Sequence, residues 1–80
     1  MAKPDLREHI ASVLRAHDAH LRRSVAVRVP PDAIDDVRQA AALRAIEKAS
    51  TLQNPERVLP WLFRIHANVA HDTLRKLASD

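Results

Sequence analysis

The run Trp61-Leu62-Phe63-Arg64-Ile65-His66-Ala67-Asn68-Val69-Ala70-His71-Asp72-Thr73-Leu74-Arg75-Lys76 keeps a helical period from end to end. At about 100 degrees per residue, Leu62, Phe63, Ile65, Ala67, Val69, Ala70 and Leu74 fall on one broad apolar arc, which reads as a core face. The narrower opposite arc collects Trp61, Arg64, Asn68, His71, Asp72 and Arg75, and Arg57 extends it by one turn. One stripe therefore holds cations, an amide and the chain's single Trp. Arg pairs with phosphate, Asn with base edges, and an indole stacks on an unpaired base, so the stripe carries what a nucleic-acid surface needs. A solvated helix face whose Trp folds back onto the core has the same pattern.

Working towards the N-terminus, Asn54-Pro55-Glu56 reads as a cap followed by Pro in a first turn. Pro60 leaves two starts open for this helix. Either a short turn near Asn54 to Val58 precedes a helix beginning near Leu59, or the helix begins near Arg57 with Pro60 in its first turn. It continues to about Lys76. The polar connector Ser50-Thr51-Leu52-Gln53-Asn54 separates it from a second helix, from about Ala33 to Ala49, which Asp32 is placed to cap. There Ala33, Ile34, Val37, Ala41 and Ala45 point one way, while the neighbouring arc holds Asp35, Asp36, Gln39, Leu43 and Ile46. That mixed arc is either a second packing face or a docking surface for a partner protein. A first helix runs from about Pro4 to Arg28, with Leu6, Ile10, Val13, Leu14, His17 and Leu21 stepping by three and four. Pro30-Pro31 ends it.

The rest of the composition supports an all-helical reading. The 80 residues contain no Gly, which removes hairpin turn chemistry, and strong helix formers dominate. The sequence predicts a single three-helix bundle over residues 1–80, with a short extra turn near Asn54 to Val58. There is no Cys, so disulfides and thiolate metal sites are excluded and a reducing cytoplasm is the fitting compartment. No run approaches the roughly 18 apolar residues of a membrane span. Thirteen Lys and Arg, most of them Arg, against ten Asp and Glu leave a net charge of +3 and room for a polyanionic partner.

Catalysis and metal binding find little support. His17 and His20 have an i, i+3 spacing that could share one ion, but a third ligand would have to come from elsewhere. His66 and His71 point about 140 degrees apart on their helix and cannot share an ion, and His66, on the apolar arc, reads as a satisfied core imidazole. Ser12, Ser24, Ser50, Thr51 and Thr73 lack the glycine elbow that exposes a nucleophile, and a phosphate-cradling loop needs Gly. Neither an enzyme nor a cofactor is expected.

Two blocks resemble a known family. Asp35-Asp36-Val37-Arg38-Gln39-Ala40-Ala41-Ala42-Leu43-Arg44-Ala45-Ile46 is similar to the region 2.2 signature of extracytoplasmic-function sigma factors. The run from Trp61 to Lys76 resembles their strand-contacting helix, with Trp61, Leu62, Arg64, Ile65, Asn68, Ala70, Asp72, Leu74 and Arg75 matching in register. The resemblance implies a region 2 domain that binds the clamp helices of the RNA polymerase largest subunit and recognises and melts the promoter minus-ten element. It implies polymerase contacts at Asp35, Asp36, Gln39, Leu43 and Arg44. It implies contacts to single-stranded minus-ten DNA at Trp61, Arg64, Asn68, His71 and Arg75, with Leu52, Gln53 and Asn54 near a flipped base. An anti-sigma factor is a further implied partner. Ala40 stands where the family has Glu, and Ala42 and Ile46 replace bulky or aromatic residues, which alters the polymerase-facing surface. The alternative is a sigma-like interaction module that binds an anti-sigma factor or other regulator without promoter DNA.

Overall fold

Asp5 caps the first helix, its Oδ1 accepting the Arg7 amide at 3.0 Å. A computed structural model describes residues 5–79, so the expected helix start at Pro4 lies outside them. Within those residues the regular structure is helical: α1 (Leu6–Ala16), α2 (Asp18–Ala26), α3 (Ile34–Glu47) and α4 (Val58–Ala78). Single 3-10 turns at Pro31–Ala33, Ala49–Thr51 and Pro55–Arg57 join them.

The predicted first helix is two helices. His17 stands between α1 and α2 at φ −114° and ψ 23°. Hydrogen bonding runs through the kink, since the His17 N–H donates to Val13 O at 3.0 Å and His17 O accepts from the Leu21 N–H at 2.9 Å. The apolar period survives it as well, which is why residue spacing gave no sign of a break. Asp18 then opens α2 with an acid at the positive helix end and forms an ion pair with Arg38 of α3. The helix closes at Ala26, two residues before the expected Arg28, and Val29 tucks into the core ahead of Pro30.

Asp32 is not a cap. The residue before α3 is Ala33, without a side-chain cap bond, and the chain enters through the Pro31–Ala33 turn, where the Ala33 N–H donates to Pro30 O at 2.9 Å. Asp35 and Asp36 in the first turn of α3 supply the favourable negative charge instead. Asn54 does cap, its Oδ1 accepting the Glu56 amide at 3.0 Å, and the extra turn after it is present. Pro60 is the third residue of α4, where its missing amide leaves no helical bond unmade.

One core joins the four helices. Ile10 of α1, Leu21 and Val25 of α2, Val37, Ala41 and Ala45 of α3, and Leu62, Ile65, Val69 and Ala70 of α4 are all buried. Alanines at 41 and 45 leave α3 a smooth buried face, and α4 packs most extensively against that helix. His66 is buried among them, 2 % exposed, and its Nδ1 donates to Leu62 O at 2.7 Å. Leu74, expected in the core, is 38 % exposed, because α4 outruns its neighbours and every residue from 74 to 79 is exposed. Ile46, on the mixed arc of α3, packs against the core, as the packing-face reading of that arc has it. No helix among the described residues is long and apolar enough to cross a membrane.

Candidate nucleic-acid interface and docking face

The end of the α3–α4 connection and the first turns of α4 enclose a recess of about 320 Å³. Its lining is Thr51, Leu52, Gln53, Asn54, Arg57, Pro60, Trp61 and Arg64. That volume far exceeds the roughly 30 Å³ of one water, so the recess has room for a larger group. The fold therefore brings together five of the residues singled out for DNA, Leu52, Gln53, Asn54, Trp61 and Arg64, from two separate segments. Thr51 and Pro60 join them without having been expected to. Only the fold could reveal these two, since neither carries a charge or a motif that marks it.

The recess residues differ in what they can offer. Trp61 is half-buried and packs against the core while still lining the recess. Leu52 is 7 % exposed; it belongs to the core and forms a wall of the recess. Asn54 spends its Oδ1 on the Glu56 amide, leaving its NH₂ as the group free to donate. Gln53 is exposed. Among the described residues neither Arg57 nor Arg64 is ion-paired, so both guanidinium groups are available to an anion.

Farther along α4, exposed Asn68 and His71 continue the stripe but lie outside the recess. Arg75 is engaged with Asp72 at 3.4 Å. Asp72 also meets Arg44 of α3 at 3.7 Å, so these three residues tie α3 to α4 along a second groove of about 510 Å³. Arg44, expected to face polymerase, is thus half-buried between two helices and shares its charge with Asp72. Exposed ion pairs of this kind contribute roughly 0–1 kcal/mol each, so a stronger ligand can take either Arg.

On the remaining face of α3, Asp35, Asp36, Gln39 and Leu43 are exposed, with Leu43 at 62 %. Asp35 accepts from Arg22 at 2.9 Å and lies 3.6 Å from Arg38. Arg38 was not singled out from sequence, yet it reaches Asp18 of α2 and Asp35 of its own helix. Its i, i+3 spacing from Asp35 was the available signal. A small cavity of about 80 Å³ lies between Arg38, Asp18 and His66. Burial holds the His66 imidazole below its ordinary pKa; the bond to Leu62 O opposes this, and the Arg38 charge adds to it.

The rings of His17 and His20 lie 6.1 Å apart between centres, tilted by 31°, and no described residues form a group of three or more His, Cys, Asp or Glu able to hold a metal.

The family model for sigma-70 region 2 matches residues 13–79, which takes in the kinked pair α1 and α2 from Val13, all of α3, the recess and α4. Comparison with curated proteins and with solved structures gave no match. With a match over most of its length and the all-helical bundle described above, the chain belongs to the sigma-70 region 2 family, a transcription-initiation domain that binds RNA polymerase and takes part in promoter recognition.

Proposed function

We propose that the chain acts in the cytoplasm as the minus-ten-melting domain of an extracytoplasmic-function type sigma factor. The observation that carries this is the recess: a half-buried indole, two unpaired guanidinium groups and the amides of Gln53 and Asn54 converge on one concave surface. An unpaired base stacks on indole, its edge hydrogen-bonds to amides, and the flanking phosphates meet Arg57 and Arg64. Flipping a base out of the duplex costs a few kcal/mol, which these contacts offset. Asn68, His71 and Arg75 extend the track for the strand along α4.

Asp35, Asp36, Gln39 and Leu43 form the face for the clamp helices of the polymerase largest subunit. An exposed leucine rimmed by acids and an amide has the make-up of a docking surface. Arg44 joins this contact only by leaving Asp72. An anti-sigma factor covering either face would silence the domain.

Binding to fluorescent single-stranded oligonucleotides tests the DNA reading. The chain should prefer minus-ten strands over scrambled ones, with a log–log salt slope of about two to three. Arg64→Ala should weaken binding to all sequences alike, whereas Asn68→Ala should chiefly erode the preference. Sequence-blind binding by both the wild type and Asn68→Ala would remove base readout from this helix. The regulator-binding module without DNA contact would then take first place.

A further inference from the structure

One side chain of α1 makes a directed hydrogen bond to the recess loop. His9 Nε2 lies 3.3 Å from Pro55 O, a contact spanning 46 positions. The side-chain ion pairs Arg22–Asp35, Arg38–Asp18 and Arg44–Asp72 join helices over shorter separations. A carbonyl oxygen only accepts, so His9 Nε2 carries the hydrogen and donates it. The same carbonyl also takes the Val58 N–H, the bond that closes the Pro55–Arg57 turn and leads into α4. Both lone pairs of one oxygen are therefore used, one by α4 and one by α1. Its neighbour Asn54 lines the recess. At the other end of the loop, α1 packs against the Ala49–Thr51 turn. The loop that walls the recess is thus held by α1 at both ends, and only His9 does so with a directed bond. His9 lies ahead of the matched residues 13–79, so the family match gives it no role.

We propose that His9 is a positioning residue that fastens the loop in the shape that lines the recess, and so sets how firmly an unstacked base is seated there. The second half of this rests on the single-strand reading above. Apart from Leu52 and Ala49 the connection has little buried apolar surface, so its shape rests on its own turn hydrogen bonds and on what α1 supplies. Segments ordered only upon binding subtract their entropy from affinity, and a loop fastened beforehand avoids that loss.

Amide hydrogen exchange on the 80-residue chain tests the fastening without DNA. His9→Ala should speed exchange at the Glu56, Arg57 and Val58 amides about three- to tenfold, the range one net hydrogen bond supports, and leave Ala41 and Ala45 unchanged. Glutamine offers a donor nitrogen at nearly the reach of Nε2, so His9→Gln should restore most of the protection. In parallel, His9→Ala should weaken binding to a minus-ten oligonucleotide about threefold, and His9→Gln should recover it. Acceleration of equal size throughout α3 and α4 overturns the proposal, as does a Gln variant no better than Ala. Faster loop exchange with unchanged DNA binding overturns the link to base seating. A wild type that binds no minus-ten strand defeats the single-strand reading itself, and the exchange measurements alone then decide whether His9 fastens the loop.

Discussion

Among single residues, His66 shows most clearly how burial redirects a polar side chain. Helical spacing from Leu62 and Ile65 puts it on the apolar arc, and the structure buries it with its Nδ1 bonded to Leu62 O. Its lowered pKa has a definite sign for stability. The unfolded chain takes up a proton through the ordinary histidine range, near about 6.5, while the native imidazole stays neutral, so the unfolded state binds more protons in that window. Stability contributed by neutral His66 is complete above that range and is lost as pH falls through it. Urea melts should therefore show a lower midpoint at about pH 5.5 than at about pH 7.5, and His66→Leu should reduce that difference. An undiminished difference in His66→Leu would assign the acid sensitivity to other groups. Leu52 and Arg44 show the limit of reading at this scale: residue type alone does not tell that one is walled into the core and the other is shared with Asp72.

At the scale of elements, α3 divides its two jobs between two faces. The buried face is built from Ile34, Val37, Ala41 and Ala45, and the two alanines let α4 approach closely. Ala41→Leu should overpack that contact and cost about 1–3 kcal/mol in a denaturant melt; a neutral result would mean that α3 and α4 can separate without loss. The exposed face carries Asp36 and Leu43, and Asp36→Arg or Leu43→Asp should lower affinity for a clamp-helix fragment by at least about 1 kcal/mol without moving the thermal midpoint. Unchanged capture by both variants would leave this face without a polymerase role. The weak amphipathicity that makes α3 hard to read is a result of this division, since a helix that packs through alanine needs no broad aliphatic stripe.

For the whole molecule, size sets the margin. An 80-residue chain can bury only somewhat more than about 60 % of its unfolded surface, and its stability falls in the range of roughly 4–12 kcal/mol. Leu62 sits fully buried in α4, the helix that packs against each of the others. Leu62→Ala should cost about 2–5 kcal/mol and remove a large share of that margin. Far-ultraviolet circular dichroism should then show a much lower melting midpoint, while Leu43→Asp on the surface leaves it in place. Similar midpoints for the two would contradict the core assignment.

Local chemistry alone determined the helical class, the Asn54 cap, the core arc of α4 and the buried His66. Each follows from neighbours three or four positions apart, where spacing and side-chain type act directly. The break at His17 leaves no mark in the sequence because the apolar period passes through it, as the hydrogen bonding does in the structure. The exposure of Leu74 leaves none either, because the reach of α4 beyond its partners depends on where those partners end. The recess, the Arg38–Asp18 and Arg44–Asp72 pairs and the His9 bond to Pro55 were decided by tertiary structure. The recess needs residues 51 to 64 to fold back on one another, while the two ion pairs and the His9 bond join positions 20 to 46 apart, and no local period records which two stretches the packing of a common core will bring face to face.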